Sequence, residues 1–338
     1  MSGAALNWRG SLAPGTPRLS AADVLALVND PMEAMEARLL AQMDSPMGRI
    51  PEVGGHLLGA GGKRLRPLLA VLACRATDAP LNVGIAVGCA AELIHTATLF
   101  HDDVVDGGAV RRGRPAARML WGNGIAVLVG DFCFARGLEA VAATGSLGAV
   151  EALAAAVTEM AEGEVAQLEG AGDPDATADG YFDVVDRKTG SLMAWCARVG
   201  GVLPAPLDAA LARYGRLLGR AFQITDDVLD CAGDDTASGK SPGRDLQEGK
   251  LTLPVLLACQ THPGLRDDIR SAMGESGVSV QDAARIMQAT RAAGGLDRAQ
   301  TEATILARDA VAELQAVPPS PYRDALAALA HLSVERVA

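Results

Sequence analysis

Aromatic side chains make up only 3% of this 338-residue chain, while 49% of its residues are hydrophobic. A core poor in rings and rich in alanine and leucine favours helices over strands. Six cysteines (Cys74, Cys89, Cys133, Cys196, Cys231 and Cys259) form no Cys-x-x-Cys pair, and five histidines are scattered. This excludes a zinc cage or a disulfide framework and predicts reduced, buried thiols in the cytoplasm. Excess basic charge is lacking too, because 41 acids outweigh 30 lysines and arginines for a net charge of −11. Such a balance argues against a nucleic-acid partner. Any bound anion must therefore be held by a local basic cluster or by a metal. No uninterrupted apolar run reaches membrane-spanning length, so no transmembrane segment is expected. Residues 1–20 contain two prolines and three glycines and read as a flexible tail. Residues 21–338 read as a single domain.

What is abundant is helical periodicity. Apolar residues recur at three and four positions over 65–76, 84–106, 119–144, 148–169, 181–200, 207–232, 251–260 and 281–316. Glycine and proline punctuate the intervals, and no internal repeat or composition shift divides the chain. The expected fold is all-α, an antiparallel helical bundle. One long connection, residues 231–249, breaks the rule of short loops, which marks it as functional.

Charge of both signs is concentrated in "LFHDDVVDGGAVRRG", residues 99–113. On a helix Asp102 and Asp106 share a face, with Asp103 about 100° around. A single such cluster could be a solvated helix end. The same spacing returns in "FQITDDVLD" as Asp226, Asp227 and Asp230, near the end of another apolar segment. Oxygen-only ligands without nearby histidine or cysteine select a hard cation, and magnesium keeps water or phosphate oxygens in its remaining positions. Two such clusters point to a phosphate ligand bridged by magnesium.

Basic residues supply the complement. "GGKRLRP" groups Lys63, Arg64 and Arg66; Arg111 and Arg112 follow the first acidic cluster; Lys188 lies in "RKTG"; and Lys240, Arg244 and Lys250 belong to the long connection. Guanidinium forks and ammonium groups in these positions suit phosphate oxygens. The stretch "GDDTASGKS" imitates a nucleotide P-loop, but five residues separate Gly233 from Gly239 where four are required, and no strand precedes it.

The ordered set "GGKRLRP", "IHTATLFHDDVVDGGAVRRG", "GNGIAVLVGDFCFARG", "KTGSL", "FQITDDVLD" and "GKSPGRDLQEGKLTLP" resembles the trans-isoprenyl diphosphate synthases of the polyprenyl synthetase family. The resemblance spans residues 55–257 and implies the isoprenoid synthase fold, helices around a deep central cavity, in a homodimer. It implies that an allylic diphosphate binds through about three magnesium ions to Asp102, Asp106 and Asp226. Arg111, Lys188, Lys240 and Lys250 would meet its oxygens, and Phe222 would lie beside it. Asp103, Asp227 and Asp230 complete the two acidic motifs. Isopentenyl diphosphate would bind without metal through Lys63, Arg66, His95 and Arg112. Ionisation of the allylic diphosphate gives a carbocation, towards which Thr189 and Gln223 would turn the negative ends of their dipoles. Attack by the second substrate's double bond and loss of a proton to the released diphosphate complete one cycle.

Product length follows from the turn before Asp102. Short-chain members of the family place bulky aromatics at the fourth and fifth positions before the first aspartate, whereas this chain has Ala97 and Thr98. The resemblance therefore implies a long-chain product of the octaprenyl to decaprenyl class, used for quinone side chains. A deeper floor is expected from residues such as Leu138, Val141 or Leu153. The competing readings are a short-chain synthase, a terpene cyclase and a non-catalytic subunit of a heteromeric synthase. The last two fit two complete acidic motifs poorly.

Overall fold

The computed structural model describes residues 19–232, 243–274 and 277–335. The expected tail and Lys240 lie outside the described residues, apart from Leu19 and Ser20. Helices dominate, in the order α1 (Ala21–Ala26), α2 (Asn29–Ala41), α3 (Arg49–Leu58), α4 (Leu65–Ala76) and α5 (Leu81–Val105). A two-residue hairpin, β1 (Val110–Arg111) with β2 (Arg114–Pro115), leads to α6 (Ala117–Trp121), α7 (Asn123–Ala142), α8 (Leu147–Glu169) and α9 (Ala178–Val185). A π-helical turn, Asp186–Gly190, joins α9 to α10 (Ser191–Ala197). Then come α11 (Ala205–Ala232), α12 (Arg244–Gln247), α13 (Leu253–Thr261), α14 (Gly264–Ala272), α15 (Val280–Ala292), α16 (Gly295–Glu313) and α17 (Pro321–Val334).

Local chemistry fixes many of these boundaries. The Ser20 hydroxyl accepts from the Asp23 amide while the Asp23 carboxylate accepts from Ser20, a capping box that starts α1. Ser146 and Ser320 cap α8 and α17 in the same one-sided sense. Gly122 and Gly294, both at positive φ, divide the periodic segments 119–144 and 281–316 into separate helices.

Helix α5 runs through the centre and packs on α4, α7 and α2, while α11 packs on α16 and α10. The main core joins Leu69, Leu72, Val87, Ile94, Trp195, Tyr214 and Leu218 from four of these helices. A second cluster, with Met35, Leu39, Leu93, Phe100 and Cys133, fills the space between α2, α3, α5 and α7. Burying a side chain of this size stabilises the fold by roughly 1.5–3 kcal/mol.

Helix α5 is long and apolar enough to cross a membrane, contrary to the expectation from the sequence. Its apolar window is 78% buried inside the protein, so its hydrophobicity is explained by its central place in the bundle. Glu92 interrupts the run in the sequence and is itself buried against Arg64. All six cysteines are free and buried, and burial pushes the thiols of Cys89, Cys133 and Cys196 up to about 12. Such thiols are unreactive at neutral pH.

Candidate active site

The first acidic motif closes α5, with Asp102 in its last turn and Asp106 as its C-cap. Asp103 points elsewhere: it is buried, and its Oδ1 accepts from Arg111 Nε at 2.8 Å and pairs with Nη2 at 2.7 Å. The hairpin explains how two adjacent arginines part company. Arg112 and Gly113 sit at φ +51° and +71° between the paired strand residues, the backbone of a tight primed turn. Arg111 thus turns back to Asp103, while Arg112 reaches the carbonyls of Leu57, in the last turn of α3, and Gly61, in the loop before α4.

That loop carries the second basic group. Arg64, at φ +47°, bonds Glu36 through two nitrogens and Glu92 through a third. It is a structural anchor for the loop rather than a phosphate clamp. Arg66 differs, because its Nε is buried without a hydrogen-bond partner among the described residues. Burial lowers its pKa, partly offset by Glu92, Cys196 and Asp226, so the second acidic motif lies within its field. His95, half-buried on α5, is held well below its ordinary pKa by burial and then by Arg66, Arg112, Arg111 and Arg64. A neutral imidazole amid arginines, with an unsatisfied guanidinium N–H, is a basic environment that favours an anion. Lys63 stands exposed near the end of the same loop.

The second acidic motif ends α11. Asp227 is buried and accepts from Tyr181 O–H at 2.6 Å and from Gln223 Nε2 at 2.9 Å. Burial raises its pKa despite these two donors, and Asp226 and Asp230 push the same way. The Thr189 hydroxyl donates to Gln223 Oε1 at 3.1 Å, so Thr189, Gln223 and Asp227 form one chain of hydrogen bonds. Phe222 is half-buried on the same helix.

Lys250 touches the first motif directly and reaches the second through Asp245, whose carbonyl accepts from the Lys250 amide. Its Nζ lies 3.5 Å from Asp106 and 2.8 Å from Glu248. Burial opposes its charge, but Glu248 and Asp106 more than offset that, and its pKa rises. Asp245, whose charge also acts on Lys250, gives its amide to Asp230 Oδ2 at 3.4 Å. The ends of α5 and α11 are thereby drawn to one electrostatic centre.

The π-helical turn brings Lys188 to this centre. Its Nζ donates to Gln167 at 2.6 Å and pairs with Glu164 on α8. Gly163 permits the approach: a Cβ there would come within 2.6 Å of Arg187 and 3.0 Å of Lys188. Arg220 on α11 holds the turn through Asp186. Such turns recur at functional sites because they re-aim side chains off the regular helical stripe. The sequence, read as one apolar helix over 181–200, gave no warning of it.

Burial pushes the Asp102 carboxyl up to about 6, with repulsion from Glu164 and Asp106 outweighing part of the help from Lys188 and Arg111. Carboxylates held this close without enough counter-charge suit an added cation, and every available donor is oxygen. Among the described residues no three acidic, histidine or cysteine side chains form a ready-made metal cage. Ligand phosphate oxygens would have to complete the coordination, as is usual for magnesium.

The two positions expected from the sequence to set product length stand in different surroundings on α5. Ala97 is fully buried in the cluster of Leu93, Phe100 and Cys133. Thr98 lies about 40° around the helix from Asp102 and donates its hydroxyl to the His95 carbonyl at 2.8 Å. Val141 and Leu153 are buried in the main core, but Leu138 is 46% exposed. A solvent-facing leucine cannot floor an internal tunnel, so Leu138 drops out of that role. Tyr181, Glu164, Gln167, Glu248 and Asp245 were all missed in the sequence. Only Tyr181 carried a signal, lying seven residues, or two helical turns, before Lys188 in a chain with three tyrosines.

Known proteins resemble this chain over nearly its whole length. Residues 48–290 match the polyprenyl synthetase family. The octaprenyl diphosphate synthase of Escherichia coli K12 is 40% identical over 311 residues, covering 90% of this chain and 95% of that protein. A polyprenyl synthase from Caulobacter crescentus, solved with calcium and isoprenyl diphosphate, superposes with a TM-score of 0.90 at 38% identity, covering 96% of this chain and 100% of that one. A decaprenyl diphosphate synthase from Rhodobacter capsulatus superposes with a TM-score of 0.86, also at 38% identity, over 93% of this chain and 98% of its own. With two acidic motifs drawn to one centre beside a group of arginines, and with likeness over nearly its whole length, this chain belongs to the polyprenyl synthetase family, a family of prenyltransferases.

Proposed function

We propose that this enzyme condenses isopentenyl diphosphate with an allylic diphosphate, such as farnesyl or geranylgeranyl diphosphate, to make a long-chain all-trans polyprenyl diphosphate for quinone side chains. The observation that carries the reading is that Lys250 at Asp106 and Asp245 at Asp230 draw the ends of α5 and α11 to one charged centre, with Asp226 within the field of Arg66, which also acts on His95 together with Arg112. Two diphosphates can then lie side by side, one on the acidic motifs and one on the arginines. The octaprenyl and decaprenyl names of the relatives, with small side chains at Ala97 and Thr98, support a product of eight to ten units.

The family depends on divalent metal ions, and the oxygen-only acids here favour magnesium, about three ions per site by resemblance. Asp102, Asp106 and Asp226 would hold them, and the bound metal would supply Lewis-acid stabilisation of the departing diphosphate. Lys188 and Lys250 would take diphosphate oxygens by exchanging their present contacts with Glu164, Gln167 and Asp106. Gln223 and Thr189 orient one another and turn oxygen lone pairs towards the site of cation formation. The apolar walls exclude water that would trap that cation.

Homodimer formation is part of the same reading. Helices α6 and α7 expose Met119, Leu120, Val127 and Leu128, the last at 63%, an apolar face that a second copy would cover. Six unpaired, buried cysteines support the cytoplasm as the compartment. The test is to replace Asp102 and Asp226 singly by alanine. Turnover should fall by about a thousand-fold while the helical circular dichroism is retained, and normal turnover in both variants would refute the assignment of the metal ligands.

A further inference from the structure

Both acidic motifs turn their middle aspartate away from its neighbours, but by different means. Asp103 is paired with a guanidinium, a full positive charge. Asp227 is held by two neutral donors, one on each oxygen: Gln223 Nε2 on Oδ1 at 2.9 Å and Tyr181 O–H on Oδ2 at 2.6 Å. Gln223 is four residues before Asp227 on α11, so that bond is local. Tyr181 comes from another element, α9, and its ring is seated edge-on against Phe182 with centroids 5.4 Å apart.

This arrangement determines which way the Gln223 amide faces. With its NH2 end committed to Asp227, its Oε1 end is the one that meets the Thr189 hydroxyl at 3.1 Å. The amide keeps that orientation only while Asp227 offers Oδ1 to it, and the Asp227 carboxylate can rotate about its own bond unless Oδ2 is also fixed. Tyr181 supplies that second fixed point.

We propose that Tyr181 is a positioning residue for prenyl transfer, acting through Asp227 to keep the Gln223 oxygen turned to the reacting carbon. It touches neither diphosphate and serves as neither acid nor base. The inference rests on the prenyl-transfer reading above. Its predicted signature is a loss in kcat without a matching change in KM for isopentenyl diphosphate, whose pocket of Arg66, His95 and Arg112 does not include the Tyr181–Asp227 contact.

The experiment compares the full-length wild type with Tyr181→Phe, Gln223→Met and the double variant, using farnesyl and isopentenyl diphosphates with magnesium. Tyr181→Phe keeps the ring against Phe182 and removes only the hydroxyl. Each single change should lower kcat about ten-fold, with KM for isopentenyl diphosphate within about two-fold of wild type. Because both act on one amide, the double variant should also lose about ten-fold and not a hundred-fold. Multiplying losses, or an unchanged kcat in Tyr181→Phe, would overturn the positioning role while leaving prenyl transfer intact. A wild type that condenses nothing would overturn the prenyl-transfer reading itself, and this inference with it.

Discussion

Arg111 Nη2 lies 2.7 Å from Asp103 Oδ1, so the middle acid of the first motif is already neutralised by its own side chain partner. This pair is 24% and 2% exposed at the two side chains, and it ties the hairpin to the end of α5. Arg111 therefore has a structural task besides any contact with diphosphate.

Replacing Arg111 by methionine should strand the buried Asp103 carboxylate. The expected cost is about 2–3 kcal/mol, discounted from the value for a wholly buried pair because the guanidinium is partly solvated. Denaturant unfolding measures it. A loss below about 0.5 kcal/mol, the range of ordinary surface changes, would mean that the pair is not holding the hairpin.

His95 should give the protein an acid sensitivity. Its folded pKa is depressed by burial and by the surrounding arginines. The folded state therefore binds fewer protons than the unfolded state below about pH 6.5, and stability falls as pH drops through that value. The stability difference between wild type and His95→Gln should shrink by about 1.4 kcal/mol per pH unit at most as pH falls from 6.5 towards 5. Parallel pH profiles for the two proteins would show that His95 is not buried as a neutral group.

The two chain-length positions should respond differently to phenylalanine. At Ala97 the new ring must enter the packed cluster of Leu93, Phe100 and Cys133, so product shortening should come with a stability loss of about 1–3 kcal/mol. At Thr98, half-buried and nearly in line with Asp102, shortening should come with little loss of stability. Product analysis beside thermal unfolding distinguishes them, and an unchanged product distribution in both variants would remove this turn from the tunnel wall.

Much of this site could be read from the chain because helical spacing converts sequence distance into direction. Asp102, Asp106 and His95 fall on one side of α5 for that reason, and the hydrophobic period of α4, α8 and α11 set their boundaries to within two residues. Interactions without a local period were not legible. The π-helical turn depends on Gly163 of α8 and Arg220 of α11 closing on it from distant parts of the chain. The different fates of Arg64 and Arg66 depend on Glu36 and Glu92, and no spacing rule links those four residues. Runs containing Gly122 and Gly294 looked continuous because a glycine at positive φ has the same composition as one inside a helix.

The measurement that most directly tests the account is incubation of the purified enzyme with labelled isopentenyl diphosphate and farnesyl diphosphate, with magnesium or with a chelator, followed by chain-length analysis. The account predicts products of eight to ten isoprene units that disappear when the metal is removed. Products that stop at three or four units would contradict the open path beside Ala97 and Thr98, and condensation that persists in chelator would contradict the role of the two aspartate motifs.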